Sequence, residues 1–370
     1  MRGGERVLDA LCEICPEAEL FTLLHVPGSV SRRIEARPVH TSALQRLPAA
    51  RRYYRHCLPL FPALIEQFNF DRFDLVISSS HCVAKSVVVP GRTRHLCYCH
   101  SPMRYAWDQF DAYFGPGRIG GGASRMMRHV MARMALWDRD TADRVGAYLT
   151  NSQHVAGRIR RYYNREATVV YPPVDTDFFQ PADGAGSPGK NDSQCGPKFA
   201  LVVSALVPYK RLELAIDACR LARIPLTIAG EGSERPRLER AVHYHNGTPA
   251  GDGVTFVGRR ADEEIRDLYR RASVVLMPGE EDFGIVPLEA QACGTPVVAL
   301  ARGGALETVV DGVTGALVAD ARPESFADAI RRTIDRRFDH AAIRAHAQRF
   351  SRARFIDEMR AVVAAAGASA

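Results

Sequence analysis

Glu281-Asp-Phe-Gly-Ile-Val-Pro-Leu-Glu289-Ala-Gln-Ala-Cys-Gly-Thr-Pro-Val-Val298 sets two carboxylates on either side of a loop-to-helix junction and then returns to an apolar run. Val274 to Met277, just before it, reads as a buried strand, Pro278 to Phe283 as its exit loop and Gly284 to Ala292 as a short helix. Gly294 suits the position after the helix end and Pro296 blocks continuation. Glu281 is thereby expected at the C-terminal mouth of a strand, where open α/β sheets hold ligands. The amides of Gly284 and Ile285 would be free at the helix start, carry partial positive charge and suit a diphosphate. Glu289, about one turn into the helix, could accept two hydrogen bonds from a vicinal diol such as ribose. The plainer reading of both glutamates is an acidic first turn that complements the helix dipole.

The flanking sequence weighs against that plainer reading. Ser204-Ala-Leu-Val-Pro-Tyr-Lys210-Arg211, Ile228-Ala-Gly-Glu-Gly232, Val254-Thr-Phe-Val-Gly-Arg259, Phe283-Gly-Ile285 with Ala290 to Val298, and Gly303-Gly-Ala-Leu-Glu307 follow one another in order. Together with the Glu-x7-Glu spacing of Glu281 and Glu289, they resemble the donor-domain landmarks of the retaining family 4 glycosyltransferases. Five ordered motifs over roughly a hundred residues are far more specific than a lone glycine pattern. The resemblance implies an α/β protein of GT-B architecture, two Rossmann-like doubly wound domains facing across a cleft, with a nucleotide sugar as co-substrate and no cofactor. It places Lys210, Arg211, Gly258, Arg259, Phe283, Gly284, Ile285 and Glu289 around the donor and Glu281 on the sugar hydroxyls. The family usually has an Arg five residues before the Lys, and here that position is Ala205.

Length and pattern agree with two domains. A chain of 370 residues with 46% hydrophobic residues exceeds one usual core. Apolar runs at Leu75 to Ile77, Leu96 to Cys99, Tyr148 to Thr150 and Thr168 to Tyr171 alternate with amphipathic stretches, as βα units do. The second half repeats the rhythm at Ala200 to Val203, Leu226 to Ala229, Val254 to Val257, Val274 to Met277 and Val297 to Ala299. The domains are read as 1–173 and 174–350, with a hinge near Pro172-Pro173. Residues 351–370 hold a last helix, Arg352 to Ala365, which the resemblance implies returns to the first domain. Pro181 to Pro197, rich in Gly, Pro and Ser, reads as a surface loop.

The beginning of the chain departs from the family pattern. Relatives open with an apolar strand leading into a glycine loop, whereas here Gly3-Gly4-Glu5 follows Met1 directly. The first strand is expected to be absent, leaving two neighbouring strands with unpaired edges. Gly3 and Gly4 are expected in a loop that contacts phosphate or sugar.

His100 ends the run Leu96 to Cys99 and opens Ser101-Pro-Met-Arg-Tyr-Ala-Trp-Asp108. A lone His is most often structural. This context, however, resembles the acceptor-domain element of mannosyl- or glucosyltransferases acting on lipid-linked O-antigen or exopolysaccharide intermediates. The resemblance implies that His100 approaches the donor sugar and that Arg104, Trp107 and Asp108 lie on the acceptor side. GDP-mannose is the donor it favours.

Charge is uneven. Residues 1–175 carry 24 Lys and Arg against 16 Asp and Glu. Arg118 to Arg165 contains ten Arg against three Asp, interleaved with Ile119, Met126, Met127, Val130, Met131, Met134 and Leu136. Such a segment can lie on an anionic membrane and admit a lipid-linked phosphate acceptor. A solvated helix with its Met stripe in the core is the competing reading. Nucleic acid is not expected, because no recognition module or aromatic stacking pattern accompanies these arginines.

Nine scattered cysteines and no signal-peptide pattern favour a cytoplasmic chain with free thiols. No apolar run approaches the roughly 18 residues needed to span a bilayer. Cys12-x-x-Cys15 and Cys97-x-Cys99-His100 invite a zinc reading, with buried thiols the alternative. Asp175-x-Asp177 matches a metal motif in letters but resembles the family's linker, so transfer without a metal is expected. The expected activity is hexosyl transfer with retention in surface-polysaccharide assembly. A nucleotide-sugar epimerase of the same architecture and a non-catalytic sugar-nucleotide-binding relative are the alternatives.

Overall fold

Residues 3–182, 198–245, 248–249 and 253–368 are described by a computed structural model. The loop reading of Pro181 to Pro197 therefore lies, apart from Pro181 and Ala182, outside the described residues, as does Met1. The chain divides into two α/β units, Met1–Pro173 with Ala353–Ala370, and Val174–Arg352.

In the second unit six parallel strands form one sheet: β7 (Ala200–Val203), β8 (Leu226–Ala229), β9 (Val254–Gly258), β10 (Val274–Met277), β11 (Val297–Leu300) and β12 (Gly315–Val318). Their order is β9-β8-β7-β10-β11-β12. The central runs Val-Val-Leu-Met and Val-Val-Ala-Leu are buried on both faces, as parallel strands between helix layers must be. The connections reverse direction between β7 and β10, and the exits of the strands at such a reversal are where doubly wound sheets in general hold ligands.

The first unit has a four-stranded parallel sheet, β3 (Leu75–Ser80), β4 (Arg94–Cys99), β5 (Ala147–Thr150) and β6 (Ala167–Val169), in that order. A separate parallel pair, β1 (Leu20–Thr22) and β2 (Val39–Thr41), stands apart from it. Among the described residues β3 has a strand neighbour on one side only. An aromatic cluster anchors the pair where backbone hydrogen bonds do not: Phe21 meets Phe68, Phe70 and Phe73 at 5.4, 4.8 and 5.7 Å between centroids.

Gly3 and Gly4 do not form a loop, contrary to the sequence expectation. They are the first turn of the helix Gly3–Ile14, whose Val7, Ala10 and Leu11 recur at helical spacing and are buried. Glycine is tolerated in a first turn more readily than in a helix interior, and Glu5 there complements the dipole. This helix packs against Phe355, Ile356 and Met359 of the helix Arg352–Ala368, with Tyr98, Leu149 and Val170 completing the cluster. Ser351 and Arg352 stay with the second unit, where Ser351 bridges Val174, so the boundary lies slightly later than the sequence suggested.

Cys97 and Cys99 point into one buried cluster with Val155 and Ile159. His95, on the same strand, has both ring nitrogens occupied: Nδ1 donates to the Arg144 carbonyl at 3.0 Å and Nε2 accepts from the Ser78 hydroxyl at 2.9 Å. Burial pushes its pKa down from 6.5 to about 4. An unfolded chain would take up a proton there that the folded chain refuses. Stability is therefore expected to fall as pH drops from 6.5 towards 4, by up to about 3 kcal/mol from this group. Denaturant titrations across that window check this; a His95→Gln variant should show a flatter pH dependence, and an unchanged slope would exclude His95 as its source.

Candidate functional site

The exits of β7 and β10 meet at a point where only glycine fits. A Cβ on Gly279 would lie 2.7 Å from the Tyr209 carbonyl oxygen and 2.8 Å from Lys210 Cα. With hydrogen there instead, the two loops touch backbone to backbone. That approach brings Lys210, in the short 3₁₀ turn Pro208–Lys210, into an ion pair with Glu281. The two side chains are 16% and 20% exposed, so the pair is shielded without being sealed. Glu281 is held in turn by its backbone, which bridges Gly303 and accepts from the Gly304 amide at 2.8 Å.

Beyond Glu281 the chain enters the helix Ile285–Ala292 through Gly284, whose φ of +94° suits glycine. Gly284 and Ile285 stand at the start of this helix, where backbone amides have no partner within the helix. Phe283 differs from the expectation of donor contact: its ring is buried against Phe350, 5.8 Å away, and anchors the loop. Glu289 is nearly buried and accepts a hydrogen bond from the Tyr269 hydroxyl at 3.0 Å. Tyr269 was not singled out from the sequence.

Arg211 follows Lys210 in the left-handed conformation, φ +51°, with its side chain exposed. Gly258 and the exposed Arg259 end β9, which is separated from β7 by β8. The structure therefore joins Lys210, Glu281 and Gly284 at the strand exits and leaves Arg259 two strands away. Asp175, of the Asp-x-Asp letters, accepts from the Phe178 amide at 3.0 Å. Among the described residues no three His, Cys, Asp or Glu side chains gather as a metal site.

In the first unit His100 leaves β4 half-buried. Its Nε2 is 2.8 Å from Ser79 Oγ, its carbonyl accepts from Asn151 Nδ2 at 3.0 Å, and its ring lies 5.1 Å from that of Tyr98. A Cβ on Gly4 would sit 3.5 Å from His100 Nε2, an ordinary contact distance, so the first helical turn lies against the imidazole. Trp107 and Asp108 have inward partners that the sequence did not reveal. The Trp107 indole stacks on Tyr162 at 4.6 Å and donates to Asp138 at 2.8 Å. Asp108 pairs with Arg158 at 2.6 Å, and Arg158 also donates to Ser101 at 3.0 Å. Arg104 opens the short helix Arg104–Trp107 and is half-buried.

The basic segment is divided. In the helix Gly121–Asp140, Met131 and Met134 enter the core while Met126 and Leu136 are exposed. Arg128 pairs with Asp111 and lies 4.3 Å from the Phe110 ring centroid; Arg125 and Arg133 are exposed. No helix among the described residues is long and apolar enough to cross a membrane.

Comparison with known proteins agrees with this architecture. Residues 1–178 match the domain described as Glycosyltransferase Family 4, and residues 187–351 match Glycosyl transferases group 1. D-inositol 3-phosphate glycosyltransferase of Mycobacteroides abscessus is 34% identical over 224 residues, 57% of this chain and 49% of that protein. Its counterpart in Mycolicibacterium smegmatis is 32% identical over 236 residues, 61% and 54% of the two chains. The chain thus spans about half the length of the curated relatives it matches. In fold it is similar to Anabaena HepE, crystallised with UDP, at a TM-score of 0.68 and 19% identity over 98% of this chain and 96% of that one. Sucrose-phosphate synthase of Thermosynechococcus elongatus gives 0.67 and 20% over 98% and 92%.

The ion pair has a measurable consequence for any anion at the strand exits. A diphosphate that approaches Lys210 must first displace the Glu281 carboxylate. Glu281→Gln is expected to tighten binding of inorganic diphosphate roughly fivefold, about 1 kcal/mol, and Lys210→Met to weaken it. Titration calorimetry at low salt reads both; equal affinity in wild type and Glu281→Gln would mean that the pair does not compete with the anion.

Proposed function

We propose that this chain, which carries the two domains of a GT-B glycosyltransferase, transfers a hexosyl group from a nucleotide sugar with retention of anomeric configuration. The observation that carries the reading is the Lys210–Glu281 pair at the switch point of a doubly wound sheet, beside the open start of the helix Ile285–Ala292. As the bond from the anomeric carbon to the diphosphate oxygen breaks, negative charge grows on the leaving group. Lys210 and the amides at Gly284 and Ile285 are the fixed positive groups to meet it. Glu281, released from Lys210, then accepts hydrogen bonds from sugar hydroxyls, and Glu289, oriented by Tyr269, receives the ribose. The acceptor hydroxyl attacks from the side the diphosphate leaves, and its proton passes to a leaving phosphate oxygen. His100 approaches the donor sugar in this reading, and no metal or cofactor takes part.

For the donor we favour GDP-mannose, and for the acceptor a lipid-linked saccharide in surface-polysaccharide assembly, at the inner face of the plasma membrane. Exposed Arg125, Arg133, Met126 and Leu136 support contact with an anionic bilayer. A second reading, a phosphorylated polyol acceptor with a different nucleotide hexose, is supported by the similarity to the mycobacterial D-inositol 3-phosphate glycosyltransferases and by UDP-glucose in the HepE crystals.

A panel of nucleotide sugars separates the readings. The true donor at about a hundred times its dissociation constant should stabilise the protein by about 2.7 kcal/mol. Its sugar should appear on an added acceptor, and Glu281→Ala should abolish that transfer. Sugar isomerisation without acceptor would favour the epimerase, and no stabilisation by any nucleotide sugar would contradict the proposal.

The membrane contact is checked separately. Replacing Arg125 and Arg133 by Glu should reduce co-sedimentation with anionic vesicles, since each basic residue near such a surface contributes about 1 kcal/mol. Unchanged co-sedimentation would make this helix face merely solvated.

A further inference from the structure

A buried ion pair lies in the first unit, behind Trp107. Asp138, in the last turn of the helix Gly121–Asp140, is 0% exposed and pairs at 3.2 Å with Lys85, which is 1% exposed. Lys85 also donates to the Asp138 carbonyl oxygen at 2.5 Å and to Ser86 and Thr141 hydroxyls at 3.2 Å, and sits 4.6 Å from the Tyr163 ring centroid. The second carboxylate oxygen of Asp138 accepts from Trp107 Nε1 and from the Tyr163 hydroxyl, each at 2.8 Å. One side chain thus ties together four elements: its own helix, the short turn Ala84–Ser86 that carries Lys85, the helix Gln153–Tyr163 and the loop that begins at His100.

This placement is unfavourable by itself. An acid in the last helical turn opposes the dipole, and a charge taken out of water needs full compensation. An apolar pair of similar volume would serve the core at least as well. What apolar residues could not do is fix the rotation of an indole that otherwise only stacks.

The loop His100–Asp108 is fastened at both ends by the surrounding frame. Asn151 holds the His100 carbonyl, and Arg158 spans Ser101 and Asp108. Trp107 is gripped on its face by Tyr162 and at its edge by Asp138. We infer that Asp138 is a positioning residue that sets the His100–Asp108 loop through the Trp107 indole, and so governs acceptor use. The inference rests on the proposed reading of that loop as the acceptor side.

Two changes probe it without emptying the core. Trp107→Phe keeps an aromatic face against Tyr162 and removes the donor together with part of the ring. Asp138→Leu with Lys85→Met removes both buried charges and, with them, the acceptor of the Trp107 N–H. The chain has two tryptophans, so a Trp137→Phe background leaves Trp107 as the single reporter for the charge-pair variant.

In that background the charge-pair variant should shift Trp107 emission to the red and speed hydrogen exchange across residues 100–108. Both it and Trp107→Phe should raise the acceptor KM roughly tenfold, as small misplacements near reacting groups do. Affinity for the nucleoside diphosphate should not change. A charge-pair variant with wild-type exchange in 100–108 overturns the positioning role. Faster exchange with an unaltered acceptor KM overturns the link to acceptor use, and parallel losses of acceptor and nucleotide affinity show general destabilisation instead. If the wild type turns over no nucleotide sugar, the reading of function fails, while the exchange measurement still decides what Asp138 holds.

Discussion

The contact on which the second unit's chemistry depends is between main chains, at Gly279. A single Cβ there would push apart the loops that leave β7 and β10, the two strands flanking the reversal of the sheet. Because glycine lets them meet, a lysine and a glutamate from distant parts of the chain share one ion pair beside an open helix start. Each group alone is ordinary. Together they form a charge-balanced pair, which the proposed reading divides between an anion and a hydroxylated ligand. The sheet behind them, buried on both faces, gives the loops a rigid base, which is where precise constellations are best carried.

The first unit solves a different problem. Its loop from His100 to Asp108 is short of regular structure, so its geometry is set by side chains: Asn151, Arg158, Tyr162 and Asp138. These are polar or aromatic groups with directional bonds, and buried ones must be satisfied or they cost more than they contribute. The separate pair β1–β2 is anchored in the same spirit, by a phenylalanine cluster where ladder bonds are lacking.

What was legible in the sequence follows from how local each signal is. Continuous apolar runs marked β7, β8 and β10 to the residue, because parallel strands buried on both faces need nothing else. The strands β1, β2 and β12 were missed: β1 and β2 are three residues of mixed polarity, β12 is the four residues Gly-Ala-Leu-Val with a weak strand former first, and the pairing of all three is non-local. Gly3-Gly4 was read as a loop although Val7, Ala10 and Leu11 already carried a helical period. The strand-exit position of Glu281 was legible, but its partnership with Lys210 was not, since it depends on strand order. Two signals went unused. Asp138 falls on the same helix face as Met131 and Met134, which marks a buried acid, and Tyr269 shares the buried face of its helix with Ile265, so its hydroxyl needed an acceptor.

The central claim is that Lys210 and Glu281 act on a diphosphate through each other. A double-mutant cycle in titration calorimetry with a nucleoside diphosphate tests it most directly. The account predicts coupling: Glu281→Gln tightens binding when Lys210 is present and has no effect once Lys210→Met has removed the cation. Equal effects of Glu281→Gln in both backgrounds, simply additive with the lysine change, would contradict it.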